Sequence, residues 1–504
     1  YSNGGKITNG ITNSSFIGNY TIAYGISAGG AIYAINYGID KLDADFISNY
    51  AYSSNSNAHG GALDNGAIET VSGKFISNYA QGQTAQGGAI YHHYSDWRTT
   101  LKSDTFKENY AKTTSGTAQG GAIYVASRIN GVNAEFSGNY AQATSGSAYG
   151  GALYLNTENV FSSYGLNSNF TENYVKTSSG YAYGGAIYNT YTQNFSKLKG
   201  DFVGNYAQAT GSYGAAYGGA IYNTGSISIA GNFRNNYAIA NNNYANGGAI
   251  YNSGTLYISD AIFSGNYDSK GSNAIYNTGT VNVGSNVTFD DKISGSNGKL
   301  NINGKNVEIN NTITDNTVNM NGSSIKLGSA TVNGTKSYGD FDVDTNVNVT
   351  ANSFLNIMDN EIRDYHFNNL TIADTSSLYL RSDLDFTGST IQSDRFVANT
   401  VSGNIIFELV KFNGDVRSGQ YEFVSSSNLD NLTIEDYYIF TDNKTITIHQ
   451  SATSKGYLDI TVDESPQWNL KLAVDYGDGN RQYDMNANEE VNANLGFMQS
   501  ENST

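Results

Sequence analysis

The chain has 504 residues, among them 57 glycines, 40 tyrosines, one proline and no cysteine. This composition favours stacked strands joined by turns over helices. The 27 basic and 44 acidic residues give a net charge of −17, which opposes binding to nucleic acid or to anionic lipid headgroups. Because cysteine is absent, disulfides, thiolate metal sites and a cysteine nucleophile are excluded.

A first motif, Phe-x-x-Asn-Tyr, occurs nine times at intervals of 29 to 34 residues. Its phenylalanines are Phe16, Phe46, Phe75, Phe106, Phe136, Phe170, Phe202, Phe233 and Phe263. Its asparagines are Asn19, Asn49, Asn78, Asn109, Asn139, Asn173, Asn205, Asn236 and Asn266. So regular a spacing predicts a repeat protein in which each copy of the motif marks one structural unit.

A second motif, Gly-Gly-Ala followed by Ile or Leu, alternates with the first. Its alanines are Ala31, Ala62, Ala89, Ala122, Ala152, Ala186, Ala220 and Ala249, followed by a degraded copy around Ala274. One unit is too short to bury an apolar face alone, so we expect units to stack about 4.8 Å apart, the spacing of hydrogen-bonded strands. The predicted fold is all-β, a right-handed parallel β-helix of about nine coils followed by shorter irregular coils.

Stacking places equivalent residues in ladders along the axis. We expect the phenylalanines to form an internal stack and each asparagine amide to bond the one above and below it. Gly-Gly suits a sharp corner, because glycine reaches positive φ. The motifs mark residues 1–280 as the repeat helix, with a less regular continuation over 281–400. The chain becomes more apolar and acidic from about 370 to 465, with 401–465 as a separate C-terminal region. Residues 466–504 are expected to form a terminal strand or hairpin and a polar tail.

The tyrosines that follow the motifs fall into two rows. The first is Tyr50, Tyr79, Tyr110, Tyr140, Tyr174, Tyr206 and Tyr237. The second, a candidate binding stripe, is Tyr91, Tyr124, Tyr154, Tyr188, Tyr222 and Tyr251. Two interpretations stay open: the rings stabilise the rod, or they face outward and contact glycans, host protein or neighbouring rods.

Parallel β-helices also carry polysaccharide lyases and hydrolases, whose sites cluster carboxylates with His, Lys or Arg on adjacent coils. The acidic pair Asp290-Asp291 is interpreted here as a solvated turn. No catalytic, cofactor-binding or metal-ligating residue is assigned, and no cofactor is predicted. We therefore predict that the chain is not an enzyme.

Two further segments are weighed as ligand sites. The first interrupts a regular coil and is interpreted as a loop, with sugar stacking on its tryptophan as the alternative; it contains His92, His93, Trp97 and Arg98. The second has oxygen-bearing side chains at cation-like spacing but does not match an EF-hand loop; they are Asp475, Asp478, Asn480 and Asp484. An acidic turn is the simpler interpretation of the second segment.

Over residues 16–276 the two motifs together resemble the passenger domains of chlamydial polymorphic membrane proteins, which are autotransporters defined by repeated Gly-Gly-Ala-(Ile/Leu/Val) and Phe-x-x-Asn tetrapeptides. Segments 377–385 and 393–396 look like the C-terminal part of other autotransporter passengers, which would make 401–465 an autochaperone-like region. The tyrosine after each asparagine and the lack of cysteine depart from the chlamydial pattern, so we expect a relative in another bacterial lineage.

The resemblance implies export, delivery to the cell surface by an outer-membrane β-barrel expected downstream of this chain, and frequently adhesion. The leading hypothesis is a secreted passenger at the bacterial cell surface or outside the cell, acting as a non-enzymatic adhesin or structural display rod. Its partners would be a host-cell or glycan receptor, or neighbouring copies of itself. A self-assembling extracellular filament or surface-layer component is the first alternative, and a polysaccharide-degrading β-helix enzyme is the second.

Overall fold

The structure is a computed structural model. It describes residues 2–3, 7–35, 38–66, 68–93, 99–127, 129–156, 161–191, 198–241, 244–440 and 444–464, and the backbone of 470–475 and 480–485. None of these described residues is helical, so none belongs to a helix that could cross a membrane. The fold-class prediction is confirmed, because parallel strands from successive coils stack into an all-β solenoid.

Up to residue 277 the coils are built from four sheets, which we name A to D. Within one coil the chain runs along sheet B, turns at the asparagine into sheet C, returns through sheet D and enters sheet A after Gly-Gly. Sheet C comprises Tyr20–Ala23, Tyr50–Ser53, Tyr79–Gln81, Tyr110–Thr113, Tyr140–Ala143, Tyr174–Thr177, Tyr206–Ala209, Tyr237–Ala240, Tyr267–Asp268 and Gly271–Ser272. Sheet D comprises Ser27–Ala28, Asn57–His59, Thr84–Gln86, Ala118–Gln119, Ala148–Tyr149, Tyr181–Tyr183, Ala215–Tyr217 and Ala245–Asn246.

Sheets A and B continue further along the rod. Sheet A comprises Ser2–Asn3, Ile32–Ile35, Leu63–Asn65, Ile90–His92, Ile123–Val125, Leu153–Leu155, Ile187–Asn189, Ile221–Asn223, Ile250–Asn252, Ile275–Asn277, Ile293–Gly295, Thr312–Ile313 and Asp340–Phe341. Sheet B comprises Ile11–Ile17, Ile39–Ile47, Ile68–Ile76, Thr99–Lys107, Ile129–Ser137, Phe161–Thr171, Leu198–Lys199, Phe202–Val203, Ser226–Ala230, Phe233–Arg234, Thr255–Ser259, Ala261–Ser264, Thr280–Val283, Val287–Phe289, Gly298–Asn303, Asn306–Ile309, Asn316–Asn321, Ser324–Leu327, Asn346–Ala351, Ser353–Asn356, Asp364–Ile372, Ser377–Asp385, Gln392–Ser393, Arg395–Asn413, Val424–Asn428 and Leu432–Ile434.

The strand register keeps equivalent motif positions in contact. Phe75 pairs with Phe106 in sheet B, and Tyr79 pairs with Tyr110 in sheet C. The phenylalanine rings stack face to face inside the rod, with centroids 4.7 to 5.1 Å apart from the first copy to Phe289. This spacing is the strand separation itself, so one ring per coil fills the interior without a gap.

The interior is divided into two cores. The larger core lies between sheets A and B and contains the phenylalanine stack with the Ile and Leu residues after Gly-Gly-Ala. The smaller core lies between sheets C and D and consists almost entirely of alanines, such as Ala111 against Ala118. Because alanine is short, these two sheets pack closely and form a narrow lobe on the side of the coil. We call residues 11–277 the lobed coils.

A waist separates the two cores, and the two sequence motifs meet there. The first glycine of each pair has positive φ, as at Gly120 with φ of 65°. The second glycine packs on the backbone of a motif tyrosine: a Cβ on Gly121 would lie 2.1 Å from the Gly151 oxygen and 2.4 Å from the Tyr140 carbonyl. Only glycine fits such a contact, because real Cβ atoms do not approach backbone this closely. The motifs alternate in sequence because they face each other across the waist.

The motif asparagines form a buried ladder at the turn from sheet B to sheet C. Asn78 donates from its backbone N–H (3.0 Å) and from Nδ2 (2.9 Å) to Asn109 Oδ1. Its Nδ2 also donates to the Phe46 carbonyl oxygen of the preceding coil at 2.9 Å. From Asn49 to Asn236 each motif asparagine donates these three hydrogen bonds, in a place that water does not reach.

Asp291 terminates this ladder. It is buried, with 1% of its surface exposed, and its Oδ2 accepts from the Asn266 N–H (2.9 Å) and Nδ2 (2.8 Å). Its Oδ1 accepts from the Gly265 N–H at 3.0 Å. The interpretation of Asp290-Asp291 as a solvated turn is therefore wrong for Asp291. The stacking geometry places that carboxylate where the next asparagine would stand, and it accepts the same hydrogen bonds.

A second buried asparagine ladder runs along sheet A. Its sheet A members are Asn189, Asn223, Asn252 and Asn277, and the ladder ends at Asn316 on sheet B. From Asn189 onward each Nδ2 donates to the Oδ1 of the next at 2.7 to 3.0 Å. Four of them close an Ile-Tyr-Asn triplet, a signal that is visible in the sequence. This ladder fixes the inner side of the same strands that carry the second tyrosine row on their outer side.

The lobe ends where the motifs end. Sheet D stops at Asn246 and sheet C at Ser272, whereas sheet B continues to Ile434. We call residues 280–434 the unlobed coils. Their first turns are short: Asn301 bonds Asn282 from 19 residues away, against 29 to 34 residues between successive copies of the first motif. Without a lobe there is no waist, and neither motif is needed.

Antiparallel elements accompany the last coils. A hairpin joins Ser329–Val332 to Thr335–Tyr338. A four-stranded sheet contains Gly419–Glu422, Tyr437–Phe440, Thr445–Gln450 and Tyr457–Asp463, and Leu470–Asp475 pairs with Asn480–Met485. The strand Arg395–Asn413 runs across residue 400, so sheet B is continuous there. The autochaperone-like role of 401–465 stays a prediction.

Candidate binding surface

The second tyrosine row lies on the outer side of sheet A. Tyr154 pairs in register with Tyr124 and Tyr188, and the rings stack 4.8 Å apart on both sides. Along the row, centroid separations run from 4.8 to 5.6 Å between Tyr91 and Tyr276. The rings are nearly parallel, so each ring covers a face of the next.

A third row of tyrosines, on sheet D, meets the sheet A row. Its members precede Gly-Gly in three consecutive coils; they are Tyr149, Tyr183 and Tyr217. Tyr149 meets Tyr154 edge to face at 6.0 Å and 89°, and meets Tyr188 at 5.0 Å and 78°. Outward side chains of consecutive strands can touch only at a re-entrant corner, so the Gly-Gly turn is concave on its outer side.

This corner is the candidate binding surface, which we call the tyrosine notch. It consists of Tyr149, Tyr183 and Tyr217 of sheet D with Tyr154, Tyr188, Tyr222 and Tyr251 of sheet A. Tyr154 is only 7% exposed, because its neighbours cover both faces and Tyr149 covers an edge. The sheet D row could have been recognised from the Ala-Tyr-Gly-Gly sequence that occurs in these three coils.

Electrostatics keep the notch neutral. Burial, reinforced by Tyr149 nearby, raises the pKa of Tyr188 to about 12. Burial also raises the pKa of Tyr154 and of Tyr222, and neighbouring tyrosines of the rows add to both shifts. The hydroxyls of these three tyrosines therefore remain protonated and can act as hydrogen-bond donors and acceptors at physiological pH. The notch offers aromatic edges and a repeating series of neutral hydroxyl groups.

The first tyrosine row lies on the outer side of sheet C, on the opposite side of the lobe. Its rings stack at 4.7 to 5.3 Å from Tyr20 to Tyr267. Burial raises the pKa of Tyr110 to about 12, with Tyr79 contributing. Among the residues that the structure describes, no second row of rings meets this stack, and it differs from the notch in that respect.

Histidines interrupt the rows near the start of the rod. His59 occupies the sheet D position and stacks on Tyr91 at 4.4 Å, and burial lowers its pKa. His93 Nε2 pairs with Asp64 Oδ1 at 2.8 Å. His92 is a buried strand residue on the inner side of sheet A, so it is not part of a surface loop. The other two residues of that segment, Trp97 and Arg98, lie outside the described residues.

The candidate cation segment near the C-terminal end lies partly in the last strand pair. The backbone of Asp475, Asn480 and Asp484 lies in the last strand pair, and Asp478 lies outside the described residues. Among the residues whose side chains are described, no group of three or more His, Asp or Glu side chains is arranged to hold a metal ion.

No known protein family matches the sequence, and no curated protein matches it. Among solved structures, the fold is similar to the crystal structure of the Haemophilus influenzae Hap adhesin, with a TM-score of 0.31 and 10% sequence identity. The aligned region covers 86% of this chain and 64% of that adhesin, so the chain spans less than two thirds of its length. A similarity this distant supports no statement about function.

Proposed function

We propose that the chain is a surface-exposed, non-enzymatic binding rod of the autotransporter-passenger type, an adhesin whose ligand contacts lie along the tyrosine notch. The observation that carries the proposal is the meeting of two outward tyrosine rows at a concave corner, with Tyr149 edge-on to Tyr154 and Tyr188. An extended surface that repeats the same contact suits adhesion, and this corner repeats in three consecutive coils.

Tyrosine suits such a contact for physical reasons. It supplies a large rigid surface at low cost in side-chain entropy, and it is enriched at the centres of protein interfaces. In the notch the rings are already held by stacking, so binding orders them little further. Repetition along the axis also lets one ligand chain engage several coils at once, which raises avidity even where one contact is weak.

The test compares two sets of hydroxyl deletions that leave the stacks intact. The notch variant carries Tyr183→Phe, Tyr188→Phe, Tyr217→Phe and Tyr222→Phe. The control variant carries Tyr140→Phe, Tyr174→Phe, Tyr206→Phe and Tyr237→Phe on sheet C. Binding of the purified chain to epithelial cells, mucin and immobilised glycans is measured for each protein.

We expect binding of the notch variant to fall at least tenfold, the equivalent of losing about 1.4 kcal/mol over several hydroxyl contacts. The control variant should bind like the unmodified chain. Equal losses in both variants would argue against the notch, and indifference of the unmodified chain to every such surface would argue against adhesion. Export is tested separately, by antibody labelling of intact cells before and after protease treatment of their surface.

A further inference from the structure

A groove of about 490 Å³ opens on the outer side of sheet B in the unlobed coils. Its floor crosses several consecutive coils, from Asn306 through Ser324 to Phe354 and Asn356. Its walls include two ion pairs, Glu308 with Lys326 and Arg381 with Glu408. The groove lies in a different region of the rod from the tyrosine notch and shares no residue with it.

Phe354 gives this groove an accessible aromatic face. The side chain is 40% exposed, and one face of its ring stacks on Tyr379 at 4.9 Å and 23°. On the other side its register partner is Ser324, whose side chain is too short to cover a ring. Among the described residues no other ring stacks on Phe354. In the lobed coils, by contrast, rings such as Tyr188 are covered on both faces.

The polar walls are held in place by one another. Lys326 Nζ donates to Glu308 Oε1 at 2.8 Å. Arg381 donates to both carboxylate oxygens of Glu408, from Nε at 2.8 Å and from Nη2 at 3.0 Å. A bidentate pair has a fixed orientation, so its remaining donors and acceptors are preorganised. The result is an aromatic platform flanked by rigid groups that can both donate and accept hydrogen bonds.

We infer that this groove binds a short stretch of neutral polysaccharide, with one sugar ring against the open face of Phe354. A sugar ring has an apolar face for the phenyl ring and hydroxyls around its edge for the flanking polar groups, which is the pattern of a few polar groups around an apolar surface. An anionic sugar fits less well: both cations already have carboxylate partners, and the whole chain carries a net charge of −17.

The test titrates the full chain with cellohexaose, mannohexaose and chitohexaose, and with hexagalacturonate as an anionic comparison, by isothermal titration calorimetry. We expect at least one neutral oligosaccharide to bind and to bind more tightly than hexagalacturonate. Phe354→Ala should weaken that binding about tenfold, because the platform is lost. Phe440→Ala removes another exposed phenylalanine, 65% exposed and outside the groove, and should leave the affinity unchanged.

A second variant blocks the groove and keeps the Phe354 side chain. Ser324→Trp places a ring on the open face of Phe354, and it should abolish binding while the circular dichroism spectrum stays unchanged. The notch variant should bind the oligosaccharide normally, which separates this inference from the proposed adhesive surface. The inference is overturned if no neutral oligosaccharide binds, if hexagalacturonate binds more tightly, or if Phe354→Ala and Phe440→Ala behave alike.

Discussion

The lobed and the unlobed coils both stack through paired strands, but the lobed coils require particular residues at many more positions. Both fill sheet B with apolar ladders, such as Leu256 to Val281 to Leu300 across the boundary. Only the lobed coils add a second core of alanines, and only they need Gly-Gly against the tyrosine backbone. The two motifs therefore specify the waist and the lobe, whereas a coil without a lobe needs little more than alternating apolar residues.

The regions also differ in how they use aromatic and charged side chains. In the lobed coils the rings form uninterrupted stacks. Stacking covers the ring faces, so only the ring edges are left for a ligand. In the unlobed coils rings are sparse, and an isolated pair such as Phe354 with Tyr379 keeps one face open. Both regions bury carboxylates, Asp64 and Asp268 in the lobed coils and Asp383 and Asp394 in the unlobed coils, but the ladder of motif asparagines at the turn from sheet B to sheet C belongs to the lobed coils.

The largest expected effect comes from closing the waist. Gly121→Ala puts a methyl group 2.1 Å from the Gly151 oxygen, and since Gly121 does not have positive φ the effect is steric alone. We expect a loss of at least about 3 kcal/mol in the free energy of unfolding, measured by urea denaturation. Gly25→Ala is the matched control, because nothing lies within 4 Å of its added methyl group. If the two variants are equally stable, the waist does not hold the lobe.

A smaller effect is expected from breaking an asparagine ladder, and its size should depend on burial. Asn139→Ala removes the acceptor of the Asn109 N–H, one of the two hydrogen bonds of Asn109 Nδ2, and the donor to the Phe106 carbonyl oxygen, at a cost of about 2–4 kcal/mol. Asn319→Ala breaks a ladder on the partly exposed face of the unlobed coils, where water can replace the bonds, and should cost under about 1 kcal/mol. Urea midpoints for both variants decide, and equal losses would contradict the argument from burial.

A third expected effect is a pH dependence located in the unlobed coils. Burial, reinforced by Asp383 and Asp359, raises the pKa of Asp394 to about 7. Between about pH 4 and that value the folded chain keeps a proton that the unfolded chain has released, so this group's contribution to stability falls as the pH rises. Asp394→Asn should remove this fall, and the difference in thermal midpoint between the variant and the unmodified chain should therefore change from pH 4 to pH 7.

Asp364→Asn is the control of opposite sign. Its hydrogen bond to Arg395 lowers the pKa of Asp364, so its contribution is present above the unfolded pKa and is lost as the pH falls. A difference between Asp394→Asn and the unmodified chain that is constant from pH 4 to pH 7 would contradict the assignment of the proton to Asp394.

The coil, the parallel stacking and the two ladders of the first motif could all be predicted from the amino-acid sequence. Residues 29 to 34 positions apart with the same identity, such as Phe75 and Phe106, become neighbours only when each repeat makes one full turn. The period and the residue types therefore carry the fold class, because a ladder needs only the same side chain at the same place in every coil.

Which motif faces which, and where the candidate binding surfaces lie, follow from the tertiary structure alone. The waist joins Gly121 to Tyr140 across the coil, a contact set by how the whole turn closes. Asp291 looks like half of a solvated acidic pair until the stack places it at the end of the asparagine ladder. Phe354 belongs to no repeated motif, so the sequence pattern does not mark it. Its open face follows from the strand register, which places the short side chain of Ser324 beside it. Periodicity reports what repeats, whereas a binding site depends on contacts between positions that the period does not connect.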